Sequence, residues 1–328
     1  MMEKEVLVIG GNGLLGLHSV QVLLNRGYKV SSLALPPKPG QASLPDEVDA
    51  HWAGLEDMSD DQVRDLLRGR YAVFFAIGQD ERTVPPAPAS EFFYKANVLP
   101  TQRVARLARE CGVEKFVLFG SYTAEFADRW PDLDYRGRNG YPRTRLLQEE
   151  VAIMEGGPEM DVTVLRLPYL FGLVEGQRPL WQFVIDQVRT QENPAVLPGS
   201  TSSATARQVG QAAVGAMENG AHGTKYPLNT YNLSYLELYR LACQAIGKDP
   251  DSVVVVLLES VMPTYEELQR QTDEAGVEHG IHLPDTARFQ ARDAVSDFEA
   301  GAELGLEDDD VVAAIRETFA WCVNNPAN

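Results

Sequence analysis

Gly10, Gly13 and Gly16 are the residues whose type and spacing most directly specify chemistry. They lie in Gly10-Gly11-Asn12-Gly13-Leu14-Leu15-Gly16. An apolar run, Val6-Leu7-Val8-Ile9, precedes them, and Leu14, Leu17, Val20 and Leu24 then recur on one helical face. A pyrophosphate needs backbone N–H groups aimed at it and no β-carbon in the way. Gly10 and Gly13 permit the tight turn and the close approach, and Gly16 lets the helix pack against the strand. Leu14 and Leu15 open that helix, whose positive dipole end faces the phosphates. A glycine triplet alone is a weak signal, but between a strand and a helix it reads as the cradle for NAD or NADP. The end of the next strand would normally carry an acid for the adenosine ribose or a base for a 2′-phosphate. Here it reads Ala34-Leu35, with Lys38 in the loop beyond, so NAD and NADP both stay open.

Other reactive side chains carry less. His279 and His282 share a glycine-containing loop with no third ligand in view, so no metal is expected. Cys111, Cys243 and Cys322 are far apart, each on an apolar-periodic helix. They read as buried small hydrophobes in a reducing cytosol.

The elements around the glycines follow a repeating pattern. Strands are predicted at 6–9, 28–35, 72–77, 115–120 and 162–167, and helices at 14–25, 59–67, 92–111 and 141–155. Such alternation implies a doubly wound parallel α/β sheet with right-handed crossovers. After Gly172 the regularity fades. A helix over 180–191, a Ser/Thr-rich loop over 198–205 and a capping box at Ser234-Tyr235-Leu236-Glu237 follow. Thr264-Tyr265-Glu266-Glu267 reads as another helix start, and Glu307-Asp308-Asp309-Asp310 as solvated acids leading the last helix.

With 328 residues and 44% of them hydrophobic, the chain can bury a large core, and its net charge is −18. That charge repels phosphate backbones and anionic lipid, which excludes nucleic-acid and membrane partners and leaves a small-molecule substrate. No apolar run approaches the roughly 18 residues of a membrane span. Met1-Met2-Glu3-Lys4-Glu5 lacks signal-peptide features, so a cytoplasmic location is expected.

Several segments, in order, resemble the extended short-chain dehydrogenase/reductase family, which includes NAD-dependent epimerases and dehydratases. The glycine spacing is one. Ala76-Ile77-Gly78 at the end of the strand over 72–77 resembles the family's small-residue segment beside the cofactor. Lys95-Ala96-Asn97-Val98-Leu99-Pro100-Thr101 is similar to its helix motif with an active-site asparagine, here Asn97. Leu165-Arg166-Leu167-Pro168-Tyr169-Leu170-Phe171-Gly172 resembles its arginine-proline strand end, which places Pro168 and Leu170 beside the nicotinamide. Leu304-Gly305 before the last helix resembles the family's C-terminal end.

The resemblance implies a Rossmann domain over 1–172, with a returning stretch near 205–230. A smaller C-terminal α/β substrate domain would cover 173–204 and 231–328. It also implies a homodimer built on the helices at 92–111 and 141–155. The family's catalytic pair is a tyrosine and a lysine four residues later, on one helix face. Gly140-Tyr141-Pro142-Arg143-Thr144-Arg145 fits that place, with Arg145 where lysine is expected. A cation there favours the phenolate of Tyr141, but the forked guanidinium is larger than an ammonium. The family's substrate-holding hydroxyl maps to Ser121 or Tyr122, at the end of the strand over 115–120. Gln208 stands where many relatives have aspartate. Arg207, Arg288 and Arg292 are the basic residues available to clamp a sugar-nucleotide diphosphate. The implied activity is NAD(P)-dependent oxidation or reduction of a carbonyl/hydroxyl substrate, with a sugar-nucleotide epimerase or dehydratase as a sub-case. The altered positions keep a non-catalytic NAD(P)-binding redox sensor or scaffold as the alternative.

Overall fold

Val6, Leu7, Val8 and Ile9 are buried whichever way their side chains point, so the first strand lies inside a sheet covered on both faces. In the computed structural model, which describes residues 4–325, that strand is β1 (Glu5–Ile9). Met1–Glu3, part of the segment in which no signal peptide is expected, lie outside the described residues. There follow α1 (Leu14–Asn25), β2 (Lys29–Ala34), β3 (Asp49–Trp52), α2 (Asp60–Leu67), β4 (Ala72–Phe75), α3 (Ala89–Phe93), α4 (Leu99–Glu110) and β5 (Lys115–Phe119). The chain continues through α5 (Tyr122–Arg129), α6 (Tyr135–Arg138), α7 (Gly140–Gly156), β6 (Asp161–Arg166), β7 (Tyr169–Phe171) and α8 (Gln182–Thr190). Next come β8 (Ala195–Val196), β9 (Ser200–Thr205), α9 (Ala206–Asn219), β10 (Lys225–Pro227), β11 (Tyr231–Ser234) and α10 (Tyr235–Ala245). The last elements are β12 (Val254–Val255), α11 (Leu258–Glu274), α12 (Leu283–Gln290), β13 (Asp293–Ala294), α13 (Glu299–Glu303) and α14 (Val311–Asn324).

The main sheet runs β10-β6-β5-β4-β1-β2-β3, and every neighbouring pair is parallel. This is the doubly wound sheet expected from the alternation. Val6 and Val8 face one core with α1 and α9, while Leu7 and Ile9 face the other with α2 and α4. The strand order reverses beside β1, between β2 and β4. A crevice opens there at the carboxyl ends of the strands.

Four sequence expectations give way. β3 was not predicted, because Asp49-Ala50-His51-Trp52 is a short polar edge strand without an apolar run. The helix expected over 92–111 is broken by a π-type turn at Tyr94–Val98. Pro100 at the start of α4 has no N–H to donate to the preceding turn, so the regular i→i−4 ladder is interrupted there. The Ser/Thr-rich stretch over 198–205 is no loop: β9 is the middle strand of a small sheet, β11-β9-β13, with β7 pairing alongside. Its hydroxyls find partners that sequence cannot show. Ser203 Oγ donates to the Tyr231 carbonyl at 2.8 Å, and Ser202 Oγ accepts from the Ser296 N–H at 2.8 Å. Thr264 does not start a helix either. α11 begins at Leu258 and runs on through Pro263, whose missing N–H leaves one i→i−4 bond unmade.

Asp310 caps α14 by accepting from the Ala313 N–H at 2.8 Å. Glu307 and Asp309 do not simply face water, since they hold Arg207 at 2.9 and 3.0 Å. Cys243 and Cys322 are buried, whereas Cys111 is half-buried at the end of α4; all three are free thiols.

Candidate active site

The glycine turn is a cradle that a side chain would fill. Gly10 has φ +93°, and a β-carbon on it would lie 2.7 Å from Ile77 Cγ2 and 2.9 Å from the Ala76 oxygen. On Gly16 it would lie 2.0 Å from the Gly10 oxygen. Gly13 caps α1 with no side-chain hydrogen bond, and no acid stands in the first turn. The leading N–H groups of that helix therefore remain available to an anion. These features fit a dinucleotide pyrophosphate. Ala34 is buried at the end of β2, paired with Trp52 of β3. Lys38 is exposed in the loop beyond.

Asn97 acts from behind the wall. It is fully buried in the π-type turn, its Oδ1 accepting from the Gln79 N–H at 2.8 Å and its Nδ2 donating to the Gln79 oxygen at 3.0 Å. It thereby clamps the loop after Ala76-Ile77-Gly78. Gly78, at φ +153°, must be bare, because a β-carbon would sit 2.8 Å from Asn97 Oδ1.

α7 brings Tyr141 and Arg145 to one face. The Tyr141 N–H donates to the Gly280 oxygen at 2.8 Å, and its ring stands edge-on to Phe93 with centroids 5.1 Å apart. The Arg145 guanidinium lies 5.7 Å from the Tyr141 ring centre. Its Nη2 donates to the Phe119 oxygen at 2.7 Å, while its buried Nε has no partner among the described residues. Ser121 caps α5, its Oγ accepting from the Thr123 N–H at 3.2 Å and sharing a hydrogen bond with Thr123 Oγ1 at 2.9 Å, and it stands beside the Tyr141 phenol. Burial pushes that phenol up to about 12; Glu81 adds to the rise, while Arg145 and Ser121 pull it back. Of the two residues at the fifth strand's end, Ser121 is thus the one beside Tyr141. Tyr122 turns its ring to Tyr169 and Phe289.

Glu149, one turn beyond Arg145, is not its partner. It is buried and grips Arg166 at 3.0 and 2.8 Å, with Lys225 at 3.5 Å. Arg166 also holds Asp128 at 2.8 Å, so it pins β6 to α7 and does not line the cavity; Leu167, Pro168 and Leu170 do.

The cavity measures about 640 Å³. Gly13, Leu14, Leu15, Ala76, Ile77 and Gly78 form its cradle end, and Ser121, Tyr122, Tyr141 and Arg145 its floor. Gly10, Gly16, Ala34 and Asn97 stand behind its surface. Sequence reasoning missed Glu81 and Arg82 from the loop after β4, Tyr135 from α6, Trp181 before α8 and Phe289 from α12. None belongs to a motif; the tertiary fold alone brings them together. His279 also lines the cavity, and burial, helped by His282, lowers its affinity for a proton. Among the described residues no His/Cys/Asp/Glu group is placed to hold a metal. Gln208 closes a capping box with Thr205 at the start of α9.

Residues 6–255 match the model of the NAD dependent epimerase/dehydratase family. The chain belongs to this family. Among similar proteins, the human sterol-4-alpha-carboxylate 3-dehydrogenase (decarboxylating) is 29% identical over 52% of the chain and 45% of the relative. The chain spans about half the length of the three mammalian sterol dehydrogenases it matches. A Stigmatella aurantiaca ketoreductase of a farnesylated dihydroquinoline oxide is 26% identical over 68% of the chain and 67% of the relative. The fold is shared with a dTDP-glucose 4,6-dehydratase from Streptomyces venezuelae solved with NAD bound. The TM-score is 0.69 at 16% identity, covering 98% of this chain and 97% of that one. The structure titled gox2253 superposes with a TM-score of 0.75 at 21% identity, covering 98% of each chain.

Proposed function

We propose that this epimerase/dehydratase-family protein is an NAD(P)-dependent oxidoreductase of the extended short-chain type, acting on a carbonyl or hydroxyl substrate. The observation that carries this reading is the Tyr141 phenol. It stands beside Ser121 and Arg145, on the floor of a cavity that opens onto the glycine cradle. Gly10, Gly13 and Gly16, with the N–H groups of Leu14 and Leu15, would hold the pyrophosphate. Pro168 and Leu170 would border the nicotinamide, which when bound would supply or accept the hydride. Arg145, whose side chain lines the cavity, would lie toward the ribose. Tyr141 donates its proton to the substrate oxygen during carbonyl reduction and takes it back during alcohol oxidation, and Ser121 holds that oxygen in line. With its phenol pushed up to about 12, Tyr141 is protonated at neutral pH, which suits reduction.

The same reading assigns the cofactor half to 1–172 with 205–230, and substrate contacts to the rest. It adds a cytoplasmic homodimer through α4 and α7, where Leu99 and Met154 are exposed. The test is NADH and NADPH oxidation with a panel of carbonyl compounds, for the wild type and Tyr141→Phe. Turnover that falls about 10²–10⁴-fold in the variant, with cofactor affinity retained, supports the role. Cofactor binding without turnover on any panel member would instead point to a redox sensor or scaffold.

A further inference from the structure

The end of the cavity away from the cradle is an aromatic wall. Tyr122 stands edge-on to Tyr169 and to Phe289, each with centroids 5.7 Å apart. Phe289 stacks on Tyr135 at 5.4 Å, and Tyr169 meets Trp181 at 5.0 Å. The indole N–H is already engaged, since Trp181 Nε1 donates to the Leu170 oxygen at 2.7 Å. Trp181 and Phe289 thus offer a ligand ring surface, which favours offset or edge-on contact with another ring.

The charges point the same way. A nucleoside diphosphate needs free cations, and the basic residues of the C-terminal part are spent elsewhere. Arg207 holds Glu307 and Asp309, Arg288 holds Asp285, Arg292 holds Asp132, and none of the three lines the cavity. Arg82 does line it, but it is bonded to Asp80 at 3.2 and 3.3 Å and stands next to Glu81. Asp80 and Glu81 both line that part of the wall, so two acids face one cation. A diphosphate at that part of the wall would be desolvated against carboxylates, with Arg82 already paired.

We infer that the substrate is an uncharged ketone or secondary alcohol carried on an apolar ring system, held between the aromatic wall and Tyr141, and is not a sugar nucleotide. This rests on the oxidoreductase reading above and deepens it. A volume of about 640 Å³, shared with the nicotinamide, accommodates a fused bicycle or slightly more.

The test uses the full chain and three probes, 2-acetonaphthone, 1-decalone and UDP-glucose, titrated by calorimetry with and without saturating NADH or NADPH. At least one ring ketone should bind about a hundredfold more tightly than UDP-glucose. Trp181→Ala and the milder Phe289→Leu should each weaken ketone binding about tenfold while leaving the cofactor dissociation constant unchanged. UDP-glucose binding tighter than both ketones overturns the inference. So does ketone affinity that is immeasurable, or indifferent to both substitutions in folded variants. Failure of both nucleotides to bind sinks the oxidoreductase reading instead, and the cofactor-free titrations still decide the substrate class.

Discussion

Tyr141 sits between opposed influences. Burial and Glu81 hold its proton on, while Arg145 and Ser121 work to release it. The balance at about 12 gives the reaction a direction-dependent pH profile. Carbonyl reduction consumes the proton that Tyr141 already carries, so its rate should be flat between about pH 6 and 8. Alcohol oxidation needs the phenolate and should rise roughly tenfold per pH unit over the same range. Initial rates in both directions check this, and a flat oxidation profile would remove Tyr141 as the base. Arg145→Met deletes both the opposing charge and the bond to the Phe119 oxygen. Oxidation should drop at least about tenfold. Arg145→Lys keeps a cation four residues after Tyr141 on the same helix face, and so should retain more oxidation activity than Arg145→Met.

At the level of elements, the site depends on how helices are tied to the sheet. The π-type turn at Tyr94–Val98 turns Asn97 inward, and Thr101 Oγ1 donates to the Asn97 oxygen at 2.7 Å while receiving Gln148 Nε2 at 2.8 Å. One polar chain thus links α7, α4 and the loop at Gln79. Asn97→Ala leaves the Gln79 N–H and oxygen unpaired, a cost of about 1–3 kcal/mol. Denaturant unfolding should register that loss, and cofactor affinity should fall with it because the loop is freed. Gly16→Ala places a β-carbon 2.0 Å from the Gly10 oxygen. Fluorescence titration should show NAD(P)H binding abolished, with about 1–3 kcal/mol of stability lost to overpacking. The Glu149–Arg166 pair, buried on both sides, locks β6 against α7. Glu149→Gln weakens a buried charge pair that costs about 3–5 kcal/mol when broken outright. The loss should stay under that, since Asp128 still touches Arg166.

For the whole molecule, the charge of −18 and the face of α4 and α7 make separate claims. Sedimentation should give twice the chain mass of 36.2 kDa, and Met154→Asp, at a site 65% exposed, should shift the protein to monomer. A monomeric wild type at micromolar concentration would defeat the dimer. The acidic surface repels an anionic cofactor at long range, while the first turn of α1 attracts it at short range. Moderate salt should therefore speed NAD(P)H association, because screening shortens the repulsion to about 10 Å at 0.1 M.

The cradle, the alternating strands and the Tyr141–Arg145 spacing were legible in the chain because each is local. A glycine turn, a 2- or 3.6-residue period and a four-residue helical offset are set by neighbours in sequence. β9 was not legible, since its serines and threonines become strand residues only through hydroxyl partners such as Tyr231 and Ser296, far away in sequence. The choice of Ser121 over Tyr122 beside Tyr141, and the aromatic wall built from α5, α6, β7 and α12, likewise arise where distant segments meet. Residue order determined the reagent-holding half of this protein. What faces the reagent was decided by packing, because burial and partnership are properties of three-dimensional neighbours.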